Sequence, residues 1–330
     1  MRILITSGLS ARDIGGPAQY APNLASELKK LGHEVDVICY GVEKKLPVGI
    51  RHLWFFERIL PKVWNADLVL ALDTFSVGVP SVAAANLLGK RSIVRVGGDF
   101  LWESYINRTK EKLPLPAFYE SHPVFTIKER IIIACTKFLA HSSILAFNTE
   151  WQRSIWEKPY ELDLARARLV KNFIPEKKQG EIPKEKNFIW AGRKITLKNL
   201  EILGCAIEKI RTKYPEVRLE MITNLSREDL EAKLKACYAV ILPSLSDVCP
   251  NFILEGASFN KPFIMTKYTG IPEIYPEGGA FIDPKDQTEL ERAIERMLDP
   301  EIYASFVQKL STATSRSWSE LAHEYLSIIG

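Results

Sequence analysis

At 330 residues the chain exceeds what one hydrophobic core usually organises, which predicts two domains. Hydrophobic residues make up 46% and charged residues 25%, a balance that excludes disordered and fibrous classes. The net charge of +4 comes with no basic stripe of the kind nucleic-acid recognition needs, so no nucleic-acid partner is expected.

The charge is uneven. Residues 1–173 hold 23 Lys and Arg against 17 Asp and Glu, whereas residues 174–330 hold 21 against 23. A basic N-terminal half suits an anionic partner, a phosphorylated substrate or a lipid surface, and equally suits ordinary solvated charge. No apolar run reaches the roughly 18 residues that span a bilayer. MRILITSG places polar residues too early for a signal peptide and reads as a first buried strand. Five scattered cysteines without a CxxC spacing argue for a reducing cytoplasm, without disulfides or structural zinc. Five histidines without an HExxH pattern argue for metal-independent chemistry.

Apolar strand-like runs alternate with helical patterns along the chain, which predicts parallel sheets covered by helices. The expected strands of the first series are Ile3–Thr6, Glu34–Cys39, Leu68–Leu72, Ser92–Val96, Ile144–Phe147 and Arg168–Lys171. Helical stretches between them include Pro17–Leu31, Pro80–Leu88 and Ile127–Leu139. After KNFIPEKKQGEIPKEK (Lys171–Lys186), which reads as a charged linker, a second series begins. Its strands are expected at Phe188–Ala191, Arg218–Ile222, Ala239–Leu242, Pro262–Met265 and Ala280–Ile282. Its helices are expected at Lys198–Lys213, Arg227–Ala236, Pro250–Phe259 and Gln287–Met297. Two doubly wound domains of this kind place ligands at their strand C-termini, in the cleft between them.

Three stretches carry candidate chemistry. SGLSARDIGGPAQY follows the first strand, and Gly15 and Gly16 let a backbone approach a ligand before Pro17 starts a helix. It matches neither GxGxxG nor a Walker loop, and a plain turn explains it as well. FIWAGRKITLKN sets Arg193 and Lys198 around a strand end, where two cations five apart can converge on a phosphate. SDVCPNFILEGASFNKP opens a helix at Pro250, with Ser246 or Asp247 as candidate cap. The start of that helix is either an anion site or a well-capped core helix. Asp247 and Glu255, eight apart, suit a ligand with hydroxyls on both sides of a diphosphate.

The glycine loop, AGR…KN, SDVCPNFILEGASFNKP and TGIPEIY, in this order, resemble a retaining glycosyltransferase of family 4 with the GT-B fold. Asp247-x7-Glu255 resembles the family's paired-acid motif, usually Glu-x7-Glu. The resemblance implies two Rossmann-like domains, residues 1–173 for the acceptor and 174–314 for the donor. SRSWSELAHEYLSIIG (315–330) resembles the terminal helix that crosses back to the N-terminal domain. It further implies that Gly15 and Gly16 approach the donor diphosphate and that Arg193 and Lys198 neutralise it as it leaves. Asp247 would hold donor-sugar hydroxyls, the amides of Asn251 and Phe252 after Pro250 would contact sugar or phosphate, and Glu255 would hold the ribose. Asp99, in VRVGGDFLWE, falls where the family often has a histidine beside the reacting carbon.

The implied partners are a nucleotide-sugar donor and a glycan, lipid-linked or small-molecule acceptor, with no cofactor. Three features depart from the family pattern: Asp at 247, Asp at 99, and TNLSREDLEAK where a Gly-rich turn usually frames the nucleobase. The alternative is a non-catalytic nucleotide-sugar-binding or scaffold protein on the same fold. Aromatics and cations in Phe100–Phe138 either cradle a lipid-linked sugar, on a cytoplasmic protein peripheral to the inner membrane face, or form one core face and one solvated face.

Overall fold

The computed structural model describes residues 1–10 and 19–329, which fold as two compact units. Unit 1 comprises Met1–Leu101, Pro123–Asn172 and Trp318–Gly330, and unit 2 comprises Trp102–His122 and Phe173–Ser317.

In unit 1 the elements run β1 (Arg2–Ser7), α1 (Tyr20–Lys30), β2 (Glu34–Cys39), α2 (Ile50–Asn65), β3 (Leu68–Ala71), α3 (Gly78–Leu87) and β4 (Arg91–Val96). Helix α4 (Phe100–Thr109) begins in unit 1 and continues into unit 2, where α5 (Leu115–Glu120) follows. The chain re-enters unit 1 with α6 (Ile127–Ser142), β5 (Ile144–Phe147), α7 (Glu150–Tyr160) and β6 (Ala167–Leu169). The strands pair in parallel in the order β2-β1-β3-β4-β5-β6. Runs such as Leu68–Ala71 are buried throughout because helices cover both faces of a parallel sheet.

Unit 2 continues with β7 (Lys186–Ala191), α8 (Leu200–Lys213), β8 (Val217–Ile222), α9 (Arg227–Ala236), β9 (Ala239–Leu242), α10 (Asn251–Ser258), β10 (Phe263–Thr266), β11 (Gly279–Ile282), α11 (Gln287–Leu298) and α12 (Pro300–Ser311). Its parallel sheet has the order β11-β10-β9-β7-β8. The architecture is therefore two Rossmann-like α/β units, as the alternation predicts.

The last helix, α13 (Trp318–Ser327), belongs to unit 1 and packs on α1. Trp318 meets the edge of Tyr20 at 5.1 Å between ring centroids, and the Tyr20 and Tyr325 hydroxyls share a hydrogen bond of 3.1 Å. Those two phenols are buried, so the bond satisfies groups that would otherwise cost free energy.

One expectation changes and one pair of alternatives is decided. The Lys171–Lys186 stretch is not a loose connector. Lys178 N donates to Ser258 O, Glu181 N donates to Lys235 O, and the Lys177 ammonium donates to Ala257 O at 3.0 Å. Cations are favourable there because the last carbonyls of α10 carry its negative dipole end. In the aromatic region, Trp102, Tyr105 and Phe118 are buried, so they form core rather than a lipid-facing surface.

Helix α10 lies close on β9. A Cβ at Gly256 would stand 2.9 Å from Val240 Cγ1 and 3.1 Å from Cγ2, closer than carbon atoms pack. Gly256→Ala is expected to lower stability by about 1–3 kcal/mol through overpacking. Chemical denaturation checks this, and a Gly256→Ala/Val240→Ala double variant should recover part of the loss if the two sites are coupled.

Candidate functional site

In unit 2 the loops that follow β7, β9 and β10 are tied together by hydrogen bonds. Strand β7 is followed by Gly192, whose φ of +156° favours glycine and whose amide donates to Ile222 O at the end of β8. A 3-10 turn, Thr196–Lys198, then stops at Asn199, which has a left-handed φ of +52°. Asparagine tolerates that conformation, and its side chain is anchored as well. The buried Asn199 amide donates to Pro243 O at 3.3 Å and to Pro284 O at 2.7 Å, and Leu245 N donates to Leu197 O. Lys198 is thereby fixed beside the loop that follows β9.

That loop presents Asp247. Lys198 Nζ donates to Asp247 Oδ2 at 2.6 Å, and the two side chains are only 22% and 19% exposed. The Asp247 amide donates to Tyr268 O, which holds the loop against the one after β10. Arg193 stays exposed and forms no ion pair among the described residues, so the structure keeps the two expected cations in different states. Lys198 is charge-matched and Arg193 is solvated.

The capping expectation for α10 is corrected. Its N-cap is Pro250, with no side-chain hydrogen bond, and Pro250 O accepts from the amides of Ile253 and Leu254. Ser246 and Asp247 lie too far upstream to cap, because Pro250 is extended at φ −70° and ψ 120°. Ser246 Oγ instead accepts from Leu115 N at 2.9 Å and donates to Leu245 O. Asn251 and Phe252 thus open a helix whose N-cap residue is a proline that supplies no side-chain hydrogen bond, and the dipole of α10 is positive at that end. Phe252 also packs against the core of unit 2.

One turn further on is Glu255, 17% exposed at its side chain, with Arg227 Nη1 of α9 at 3.6 Å from Oε1. Burial pushes the Glu255 carboxyl above the usual range, and the Arg227 guanidinium partly opposes that shift. Arg227 and Asn199 escaped notice as site residues. Asn199 had a local signal, a residue type that accepts positive φ, but Arg227 lies in another helix and had none.

In unit 1, Asp99 sits just after β4 and is buried. Trp156 Nε1, from α7, donates to Asp99 Oδ2 at 2.7 Å, while Gln152 Nε2 donates to Gly98 O. The carboxylate is thus held by α7. A second acid, Asp73 after β3, takes its Oδ1 hydrogen bond from Val77 N at 3.0 Å. Burial raises its pKa, against backbone N–H donors that include Gly8. A Cβ at Gly8 would come within 2.8 Å of Asp73 Oδ2, so the exit from β1 needs glycine there. Gly15, Gly16 and Pro17 lie outside the described residues. Among the described residues no group of three or more His, Cys, Asp and Glu is placed to hold a metal ion.

Residues 208–300 match the family described as Glycosyl transferases group 1, a span that contains Asp247, Asn251 and Glu255. No curated protein sequence matches the chain significantly. Among solved structures, sucrose-phosphate synthase from Thermosynechococcus elongatus is similar over 99% of this chain and 98% of its own, with TM-score 0.70 at 14% identity. The Anabaena protein HepE in complex with UDP-glucose is similar over 98% and 99%, with TM-score 0.67 at 12% identity. An E. coli trehalose-6-phosphate protein bound with UDP-2-fluoro glucose is similar over 99% and 98%, with TM-score 0.69 at 12% identity. The chain has the GT-B fold, and the domain match together with that fold supports a GT-B glycosyltransferase.

Proposed function

We propose that the protein is a retaining glycosyltransferase of family 4 that moves a sugar from a nucleoside diphosphate to a glycan, lipid-linked or small-molecule acceptor in the cytoplasm. The observation that carries this reading is the Lys198–Asp247 pair, fixed just upstream of the start of α10, with Glu255 one turn along that helix.

The diphosphate sits at the α10 N-terminus, where the amides of Asn251 and Phe252 and the helix dipole receive negative charge. Lys198 turns from Asp247 towards the leaving phosphate and Arg193 joins it, so two side-chain cations neutralise the developing charge without a metal ion. Asp247, released from Lys198, accepts hydrogen bonds from sugar hydroxyls, and Glu255 accepts them from the ribose. Departure and attack occur on the same face of the sugar, which preserves the anomeric configuration. Asp99, whose carboxylate accepts from Trp156, takes the position where the family resemblance expects a histidine.

Thermal unfolding with UDP, GDP and ADP in turn tests the site, and uridine comes first because HepE and the E. coli protein bind uridine nucleotides. A ligand at 100 times its dissociation constant adds about 2.7 kcal/mol of stability, several degrees in Tm. The shift should appear with one base and vanish in an Arg193→Ala/Lys198→Ala variant. Absence of any shift would favour the scaffold reading, as would binding without donor hydrolysis or transfer.

A further inference from the structure

Helix α2 is apolar on two opposite faces. Phe55, Ile59 and Val63 are fully buried beneath it. On the outside, Ile50 is 56% exposed, Leu53 61%, Trp54 50% and Trp64 68%. At about 100° per residue these four side chains fall within about 60° of one line along the helix, opposite the buried three. An exposed apolar side chain by itself is ordinary, but four on one helix face, two of them indoles and broken once by Glu57, are not.

The surroundings are basic. Lys44 and Lys45 are exposed in the turn before the helix, Arg51 lies on its flank, and Glu57 is the one exposed acid on the stripe. Glu43, the other acid nearby, is buried against Arg58. Helix α2 packs on α3, and α3 on α6. Leu87 at the end of α3 and Ile127 and Ile131 on α6 are also exposed, and Lys128 and Arg130 are exposed beside them.

We infer that the outer face of α2 docks onto an anionic lipid surface, with the helix lying in the interface plane. The apolar stripe enters the headgroup boundary, tryptophans suit that depth through their amphipathic rings, and the flanking cations face lipid phosphates. A second copy of the chain is a poorer occupant, since it would bring the same excess of exposed cations to the contact, whereas an anionic surface complements them. No helix among the described residues is long and apolar enough to cross a membrane, so this mode is peripheral.

The test is co-sedimentation with vesicles of phosphatidylglycerol and phosphatidylcholine, beside vesicles of phosphatidylcholine alone, with tryptophan emission recorded in parallel. The expected result is partition into the anionic vesicles with a blue shift, at least tenfold weaker without phosphatidylglycerol and weakened by salt. Trp54→Ala/Trp64→Ala should lose the partition at least tenfold, and Lys44→Glu/Lys45→Glu should do so with the apolar stripe intact. Both variants should keep the wild-type circular dichroism spectrum. Failure to partition, or partition unchanged in both variants, overturns the inference. So does a concentration-dependent dimer that the tryptophan variant abolishes, which would give the stripe to a second copy.

Discussion

Replacing Lys198 by alanine is expected to lower turnover about a hundredfold to a thousandfold, the cost of losing one preorganised donor of charge, about 2.7–4 kcal/mol. The backbone that carries the ammonium is fixed in advance. Asn199 anchors the turn to Pro243 and Pro284, and Leu197 O holds Leu245, so only the lysine side chain has to turn when phosphate arrives. In the unliganded protein its charge is spent on Asp247 at 2.6 Å. Alanine therefore also leaves Asp247 without its cation, and stability should fall by about 1 kcal/mol, limited because both side chains retain some solvent. Asp247→Asn is the sharper partner experiment. It frees Lys198, so a nucleoside diphosphate without sugar should bind at least as tightly as to the wild type. Transfer from the nucleotide sugar should still drop, because the carboxylate proposed to accept sugar hydroxyls is gone. Steady-state kinetics beside calorimetric Kd values separate these effects. Wild-type kcat in Lys198→Ala would remove this residue from the chemistry.

The strands were legible because a parallel sheet buried on both faces writes itself as short continuous apolar runs. Ile144–Phe147 and Ala239–Leu242 match their expected limits residue for residue. Helix α2 was not legible, for the reason that makes it interesting. It is apolar outside as well as inside and has Pro61 within it, so neither a one-sided pattern nor an unbroken helical stretch announces it. Helix α7, with Pro159 within it, was also missed. At the site, residue types and spacing pointed to Lys198, Asp247 and Glu255. Their actual partners did not follow, since Lys198–Asp247, Arg227–Glu255 and Trp156–Asp99 are made by folding and lie 49, 28 and 57 residues apart. The misplaced cap is the same lesson at short range. Ser246 is a good capping residue, but an extended Pro250 and a competing amide from Leu115 decide where its hydroxyl goes.

Glu255→Gln is expected to stabilise the unliganded protein near neutral pH while weakening nucleotide binding about tenfold to a hundredfold. Burial raises the Glu255 carboxyl pKa in the folded state above that of the unfolded chain, despite Arg227. Between those two values the folded state binds more protons than the unfolded one, so wild-type stability falls as pH rises through that window. Glutamine has the same shape and no charge to desolvate, so the variant lacks that slope. Its advantage should be absent in acid below the ordinary carboxylate range, grow as pH rises, and level off once the folded-state carboxyl has ionised. Arg227 loses little, because at 55% exposure its guanidinium remains solvated. Binding responds in the opposite sense. An amide accepts hydrogen bonds less strongly than a carboxylate and presents one acceptor oxygen instead of two, so the ribose hydroxyls of the proposed complex would lose charge-assisted bonds of about 1.5–3 kcal/mol. Denaturation midpoints at several pH values and nucleotide titrations test both halves. A variant that is less stable at neutral pH and binds nucleotide normally would make Glu255 a structural partner of Arg227. A variant that is more stable and binds worse would mean that the protein holds a desolvated carboxylate at a cost to its own fold, as sites shaped for a ligand do.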